Sequence, residues 1–311
     1  MPPMMTYRVG AASGATVSKA ISEYYFSDVV REETMRPAEY YAGGARGRDS
    51  FWDSEVLDRR LEMGHHRAEL RADIDPRLAS RLGLNGQALS VIQVANLLSL
   101  KRADGQAIEG RQIHRPTAEG KRPPVGFLDC TFSAPKHLSV AWALAPDKAE
   151  REQFLAIHRF AVEKTMKYIS EEIAYTQRGG RRSHRSEFGE IAWMSFQHYT
   201  SRPVGEQAAD PQIHSHIILL PHVLTEGGHI GALDLDHLSG RIKEFGYTYQ
   251  AFVAAESRRL GIRTEVDERS GTVRYPDIPD HIIELFSKRT KEAITKAQEH
   301  AARMGLDWRE L

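Results

Sequence analysis

Cysteine is nearly missing from this sequence. Cys130 is the one example in 311 residues, so an internal disulfide framework is excluded and a reduced, cytosolic protein is expected. Net charge is missing as well, with 42 basic side chains set against 42 acidic ones. A globally basic nucleic-acid coat is therefore excluded, and any such surface has to be a local patch. No apolar run approaches the roughly 18 residues of a membrane helix. The start, Met1-Pro2-Pro3-Met4-Met5-Thr6-Tyr7, has neither the basic nor the apolar part of a secretory signal, so membrane insertion and secretion are not expected. Phosphate-loop glycines are lacking too. Gly43-Gly44 and Gly227-Gly228 stand outside any such pattern, so ATP hydrolysis has no support. There is no G-x-S-x-G elbow for a serine nucleophile.

Histidine, by contrast, is plentiful at 14 residues, which directs attention to metal and acid–base chemistry. His214-Ser215-His216 lies inside Ile213 to Leu220, a run bounded by Pro211 and Pro221 that reads as a strand. Residues i and i+2 of a strand share a face, so two imidazoles would project together from a rigid support. His198, ending a strand from about Glu190, is a third candidate ligand. Three imidazoles with open positions describe a catalytic metal site, suited to Zn, Ni, Co or Mn better than to Mg. A bare H-x-H also arises by chance in a chain rich in histidine. His65-His66 reads as surface, because adjacent residues diverge.

Phe127 to Phe132 alternates as a half-buried strand should, with Leu128, Cys130 and Phe132 on one face and Asp129 on the other. Asp129 either accepts a proton or orients a metal-bound histidine through its second nitrogen. The plainer alternative is a carboxylate that caps a turn or meets solvent. Two tyrosine pairs, Tyr24-Tyr25 at the end of a short helix and Tyr40-Tyr41 beyond it, are either core aromatics or nucleophiles. A phosphotyrosine diester keeps enough energy for resealing without ATP, so paired tyrosines near a metal would suit two successive strand transfers.

The remaining elements follow from pattern. Pro76 to Leu100 reads as helical fragments broken at Gly83 and Asn85-Gly86, and 101–124 as an exposed polar loop. Asp147 and Glu150 form a capping pattern before a long amphipathic helix to about Ile173, with Leu155, Val162, Met166, Ile169 and Ile173 at core spacing. Gln177 to Arg185 is a basic turn. From Asp236 the pattern is mostly helical: a helix to about Leu260, a hairpin at Ser270-Gly271, and a last helix from about Pro279 to Met304. An α/β body over 1–230 with a helical appendage over 231–311 is the expected organisation.

Together these features resemble the N-terminal domain of conjugative relaxases of the MobF class, which are HUH endonucleases. The tyrosine set comes first. Leu128-Asp129-Cys130-Thr131-Phe132-Ser133-Ala134-Pro135-Lys136 is close to the family's LD-x-TFSAPK, and Phe196 to Arg202 with Asp210-Pro211-Gln212-Ile213-His214-Ser215-His216 matches its histidine motif. Phe286-Ser287-Lys288-Arg289-Thr290 matches part of the family's helical fingers. The resemblance runs from about residue 17 to 300.

It implies an α+β fold: an antiparallel sheet with helices on one face, the other face flooring a single-stranded DNA cleft, and C-terminal helical fingers closing over the DNA. It implies nicking of plasmid DNA at the origin of transfer by tyrosine transesterification, then rejoining. In that picture Tyr24 makes the first nick and Tyr40 the second transfer, with Tyr25 and Tyr41 beside them. Asp129 assists the tyrosine or orients a histidine, and His198, His214 and His216 hold a divalent metal, Mg or Mn for activity, with Zn, Ni or Co compatible. DNA contacts are expected from Lys136, Arg178, Arg181, Arg182, Arg185, Arg202, Lys288, Arg289 and Lys291. The implied partners are single-stranded and hairpin origin DNA, relaxosome accessory proteins and a type IV secretion coupling protein, in a bacterial cytoplasm. The alternatives are a rolling-circle replication initiator of the same superfamily, a metallohydrolase that activates water on the same histidines, and a non-catalytic single-stranded DNA binding module.

Overall fold

The structure is a computed structural model that describes residues 5–12, 18–25, 68–70, 74–85, 88–111, 113, 124–179, 185–201, 204 and 209–304. Four antiparallel strands lead one sheet from its edge inward: β1 (Met5–Ala11), β4 (Val125–Ser133), β7 (Pro211–Thr225) and β6 (Arg185–Thr200), in that order. Beyond β6 the sheet continues through β2 (Ala68–Leu70) and β3 (Ala88–Leu89). Two further strands pair alongside, β5 (Tyr175–Arg178) with β6 and β8 (Ile230–Ala232) with β7.

Alternation along the strands divides the side chains between two cores. Leu128, Cys130 and Phe132 of β4 and Ile213, Ile217 and Leu219 of β7 point one way. They meet α4 (Lys136–Leu144), α5 (Lys148–Ile173) and α6 (Ile242–Arg259), whose Leu138, Ile157, Met166, Phe245, Tyr249 and Val253 are fully buried. Each such large apolar side chain contributes on the order of 2 kcal/mol. Asp147 caps α5 by accepting a hydrogen bond from the Glu150 amide at 2.9 Å, and all five core positions read from the sequence are buried. A polar thread crosses this core. His158 of α5 meets Ser215 Oγ through Nε2 at 2.8 Å and Tyr249 Oη through Nδ1 at 2.7 Å, so β7 is tied to both long helices.

The opposite face is not bare. Phe127, Met194, Phe196, Ile218 and Leu220 build a second core with Tyr25 at the end of α1 (residues 18–25). Leu78 and Leu82 of α2 (Pro76–Leu82) and Val94, Leu97 and Leu98 of α3 (Val91–Leu98) complete it. The long helices thus lie on one face as expected, while three short ones cover part of the other. Gly83 closes α2 at φ +69, the left-handed conformation that glycine adopts without strain. The polar stretch after α3 is not simply an exposed loop, since Ala103 and Ile108 are buried in this second core. β1 lies so close to β4 that a Cβ at Gly10 would meet the Phe127 ring at 2.2 Å.

Two elements differ most from the sequence reading. Strand β7 does not stop at Pro221 but runs on to Thr225. The register shifts there, with Trp193 opposite Leu219 and Ile191 opposite Val223, so the proline occupies an irregular point where its missing N–H costs nothing. The last helix is two: α7 (Asp280–Leu285) and α8 (Lys288–Arg303), broken at Phe286-Ser287. After residue 230, α6 and Val273 and Tyr275, from the hairpin of β9 (Glu265–Val266) and β10 (Val273–Arg274) and just after it, pack into the first core. Of α8, only Ala301 is buried. No described helix is long and apolar enough to cross a membrane.

Candidate active site

The register of the sheet assembles the histidines. His198 of β6 stands opposite His214 of β7, and His216 stands opposite Thr131 of β4. All three imidazoles leave the sheet on the second face, with ring centroids 5.0 to 5.4 Å apart. Each offers a ligand nitrogen, and these atoms lie within 4.8 Å of one another. Ser215, between two of them, faces the core instead, as a period of two requires.

The chemistry of this donor set suits a divalent metal. Burial, and then the neighbouring His214 and His216, hold His198 far below the usual imidazole range, so it is neutral, the form that can hold a metal. His216 donates from Nδ1 to Asp129 Oδ1 at 2.8 Å, and His214 donates from Nδ1 to the Gln212 carbonyl at 2.9 Å. Both bonds place the ring proton on Nδ1, the arrangement by which outer partners fix the tautomer of a metal-binding imidazole.

Asp129 is 4% exposed and saturated with donors. Oδ1 takes His216 and the Thr131 hydroxyl at 3.2 Å, while Oδ2 takes the Tyr25 phenol at 2.8 Å and the Arg8 guanidinium at 3.4 Å. Burial alone would raise this carboxyl. The bonds from His216 and Tyr25 and the charge of Arg8 outweigh it and hold the group below its ordinary range.

The two residues of the first tyrosine pair occupy different environments. Tyr25 is fully buried, against Phe196 and His216, and burial and then the Asp129 charge push its phenol far above the usual range. Its backbone carbonyl accepts from His198 Nε2 at 3.3 Å, so α1 touches the histidine cluster directly. Tyr24 is 43% exposed, its ring centroid 5.4 Å from that of Tyr25. Tyr40 and Tyr41 lie outside the described residues.

The two sequence motifs interlock at the foot of the site. Ala134 donates to the Ile213 carbonyl at 2.9 Å, and Gln212 Nε2 donates to the Ala134 carbonyl at 2.8 Å. Lys136 donates from Nζ to the Pro211 carbonyl at 2.9 Å; burial lowers its ammonium to about 8, with Asp210 pulling it back up. Lys136 therefore ties the start of α4 to the start of β7. Asp210, 2% exposed, accepts from the Lys288 amide at 2.7 Å and pairs with Lys288 Nζ at 3.3 Å. A buried carboxylate thus fastens the first turn of α8 to the root of the histidine strand.

The other expected DNA contacts are scattered. Arg178 and Arg185 stand opposite each other where β5 meets β6, and Arg178 pairs with Glu187 at 3.5 Å. Arg181, Arg182 and Arg202 lie outside the described residues. Arg289 and Lys291 are exposed on α8. Two members of the cluster, Arg8 and Thr131, are not among the site residues read from the sequence. Thr131 is already visible there as a residue that shares a face with Asp129, two positions away. Arg8 had no signal, because nothing local announces the pairing of β1 with β4.

Comparison with known proteins fits this geometry. Comparison with curated proteins gave no match. Among solved structures, a conjugative relaxase TrwC in complex with oriT DNA, metal-free, superposes with a TM-score of 0.69 at 22% identity, covering 99% of this chain and 86% of that one. Its metal-bound complex gives 0.66 at 24% identity, again with 99% and 86% coverage. TrwC complexed with a 27-mer DNA comprising the recognition hairpin and the cleavage site gives 0.65 at 23%, covering 99% and 85%. The family model for TrwC relaxase matches residues 18–309. The chain belongs to the TrwC relaxase family, and it is a conjugative relaxase of the MobF class, a DNA-nicking transesterase.

Proposed function

We propose that Tyr24 is the nucleophile that nicks one strand at an origin of transfer. One observation carries this reading: of the first tyrosine pair, Tyr25 is buried and spent on Asp129, while Tyr24 stands beside it with its ring exposed. The Tyr24 phenol gives up its proton as its oxygen attacks the scissile phosphorus, the P–O3′ bond breaks, and the departing 3′ oxygen takes up one proton in exchange. The product is a 5′-phosphotyrosyl strand and a free 3′-hydroxyl. One phosphodiester replaces another, so the same step run backwards reseals the strand without ATP. A divalent cation on His198, His214 and His216 supplies positive charge to offset and orient the phosphate. Asp129 acts through His216, whose ring it orients, and through Tyr25, which it anchors. Magnesium or manganese serves the reaction in this reading.

The DNA would lie along the second face of the sheet, under α8, with Lys288, Arg289 and Lys291 near its backbone. The β5–β6 hairpin, with Arg178, Arg181, Arg182 and Arg185, and the segment of Arg202 would position the recognition hairpin. Tyr40, with Tyr41 beside it, would act in the second transfer. Relaxosome accessory proteins and a type IV secretion coupling protein would be further partners in a bacterial cytoplasm.

The test is adduct formation. A cognate single-stranded oligonucleotide with Mn or Mg should give a covalent product stable to denaturing electrophoresis. Tyr24→Phe should reduce it by about 100-fold or more, the scale expected for loss of a nucleophile, while Tyr40→Phe leaves the first adduct intact. A full-strength adduct from Tyr24→Phe overturns the assignment. Cutting by that variant with no adduct at all would mean hydrolysis by activated water instead.

A further inference from the structure

Arg8 sits on the edge strand β1, directly opposite Asp129 in register, so both side chains leave the same face of the sheet. Its Nη2 reaches the Tyr25 phenol at 3.1 Å and Asp129 Oδ2 at 3.4 Å, and Tyr24 lies within its electrostatic reach. The two partners of this ion pair differ sharply in exposure. The Asp129 side chain is 5% exposed, but that of Arg8 is 66% exposed. Both contacts use one nitrogen of a planar fork that carries five N–H donors.

That arrangement exceeds what holding Asp129 requires. The histidine Nδ1, the threonine hydroxyl and the tyrosine phenol already supply three donors to the carboxylate. A phosphodiester brought to the histidines also has to approach a buried negative charge, and a cation beside that charge removes the repulsion. Nearby lysines are committed elsewhere, Lys136 to the Pro211 carbonyl and Lys288 to Asp210. A guanidinium matches two phosphate oxygens in geometry and stays charged at every relevant pH.

We infer that Arg8 binds a phosphodiester of the DNA strand in the cleft, with one edge of its guanidinium anchored on Asp129 and Tyr25 and the other on non-bridging oxygens. The inference rests on the reading that the second face of the sheet holds single-stranded DNA. It goes beyond that reading by naming the group that receives the backbone beside the tyrosines.

Binding without cleavage tests it. In a Tyr24→Phe background, the affinity for a cognate oligonucleotide is measured with Arg8 intact, with Arg8→Gln and with Arg8→Lys. The same series is repeated on oligonucleotides carrying one uncharged methylphosphonate at the scissile linkage or at either neighbour. Arg8→Gln should weaken binding to the all-phosphate strand by about 10- to 100-fold, the scale for losing a charge-assisted contact. Arg8→Lys should recover part of it. At one linkage, removing the phosphate charge should abolish the difference between the Arg8-intact protein and its Arg8→Gln variant. A loss of equal size at every uncharged linkage overturns the inference, because Arg8 would then only support Asp129. So does no loss at all. If the Arg8-intact protein binds none of the oligonucleotides, the DNA reading of the cleft has failed, and the inference falls with it.

Discussion

Asp129 shows how much chemistry one buried carboxylate can organise. It receives an imidazole N–H, two hydroxyls and a guanidinium, and through them it connects β4 with β7, α1 and β1. In the proposed reading its effect on a metal is indirect, through the orientation and basicity of His216. Asp129→Asn keeps the size and an acceptor but loses the charge. Affinity for Mn or Co, followed by calorimetric titration, should fall by about 10- to 100-fold, as for other outer partners of metal ligands. An unchanged affinity would mean that Asp129 serves the tyrosines alone. The histidine pair was legible in the sequence because parity along a strand is a rigid rule. Asp129 was legible as a polar residue on an apolar strand. Its partners were not: Tyr25 lies 104 residues away and Arg8 lies 121 away. Which tyrosine of the pair turns inward depends on the helical phase of α1 against the sheet, and no short-range pattern encodes that.

Among the elements, those with strong periodicity were readable and those shaped by tertiary contacts were not. The long helix α5 carried its own cap and stripe, and α2 its own stop at Gly83. The end of β7 was misplaced because Pro221 breaks strands in general, while a register shift accommodates it here. The break between α7 and α8 was hidden for a related reason. Ser287 stands at the N-cap of α8, but its hydroxyl donates back to the Ile283 carbonyl, and the first turn is capped instead from elsewhere in the chain by Asp210. That cap gives a prediction. Asp210→Ala removes the acceptor of the Lys288 amide and strands its ammonium, while Asp210→Asn keeps an acceptor and loses the ion pair. Amide exchange at Lys288, Arg289 and Thr290 should accelerate about tenfold or more in the alanine variant, for a lost bond of about 1.5 to 3 kcal/mol. The asparagine variant should fall between it and the parent. Unchanged protection would show that α8 is held by other contacts.

At the scale of the whole molecule, two buried imidazoles tie stability to pH. His158 and His222 are both lowered to about 3, chiefly by burial, against an ordinary value near 6.5. The folded state refuses a proton that the unfolded chain accepts below pH 6.5, so stability should fall as pH drops from there toward 3. At pH 5 each site costs about 2 kcal/mol. Thermal unfolding of metal-free protein between pH 7 and pH 5 should show this decline, and His222→Gln should flatten it. A level profile in the parent would contradict buried, neutral imidazoles. The placement of the Pro221 irregularity has a consequence for how this chain tolerates length changes. It lies after the histidine pair in β7, so a residue gained or lost beyond Leu219 can be absorbed there while His214 and His216 keep their aim. A second register shift stands on the other side of the pair, where His198 faces His214 but Thr200 faces Pro211. The two imidazoles are thus bracketed by irregular points, and drift in sequence length can be taken up on either side of them while their parity is kept.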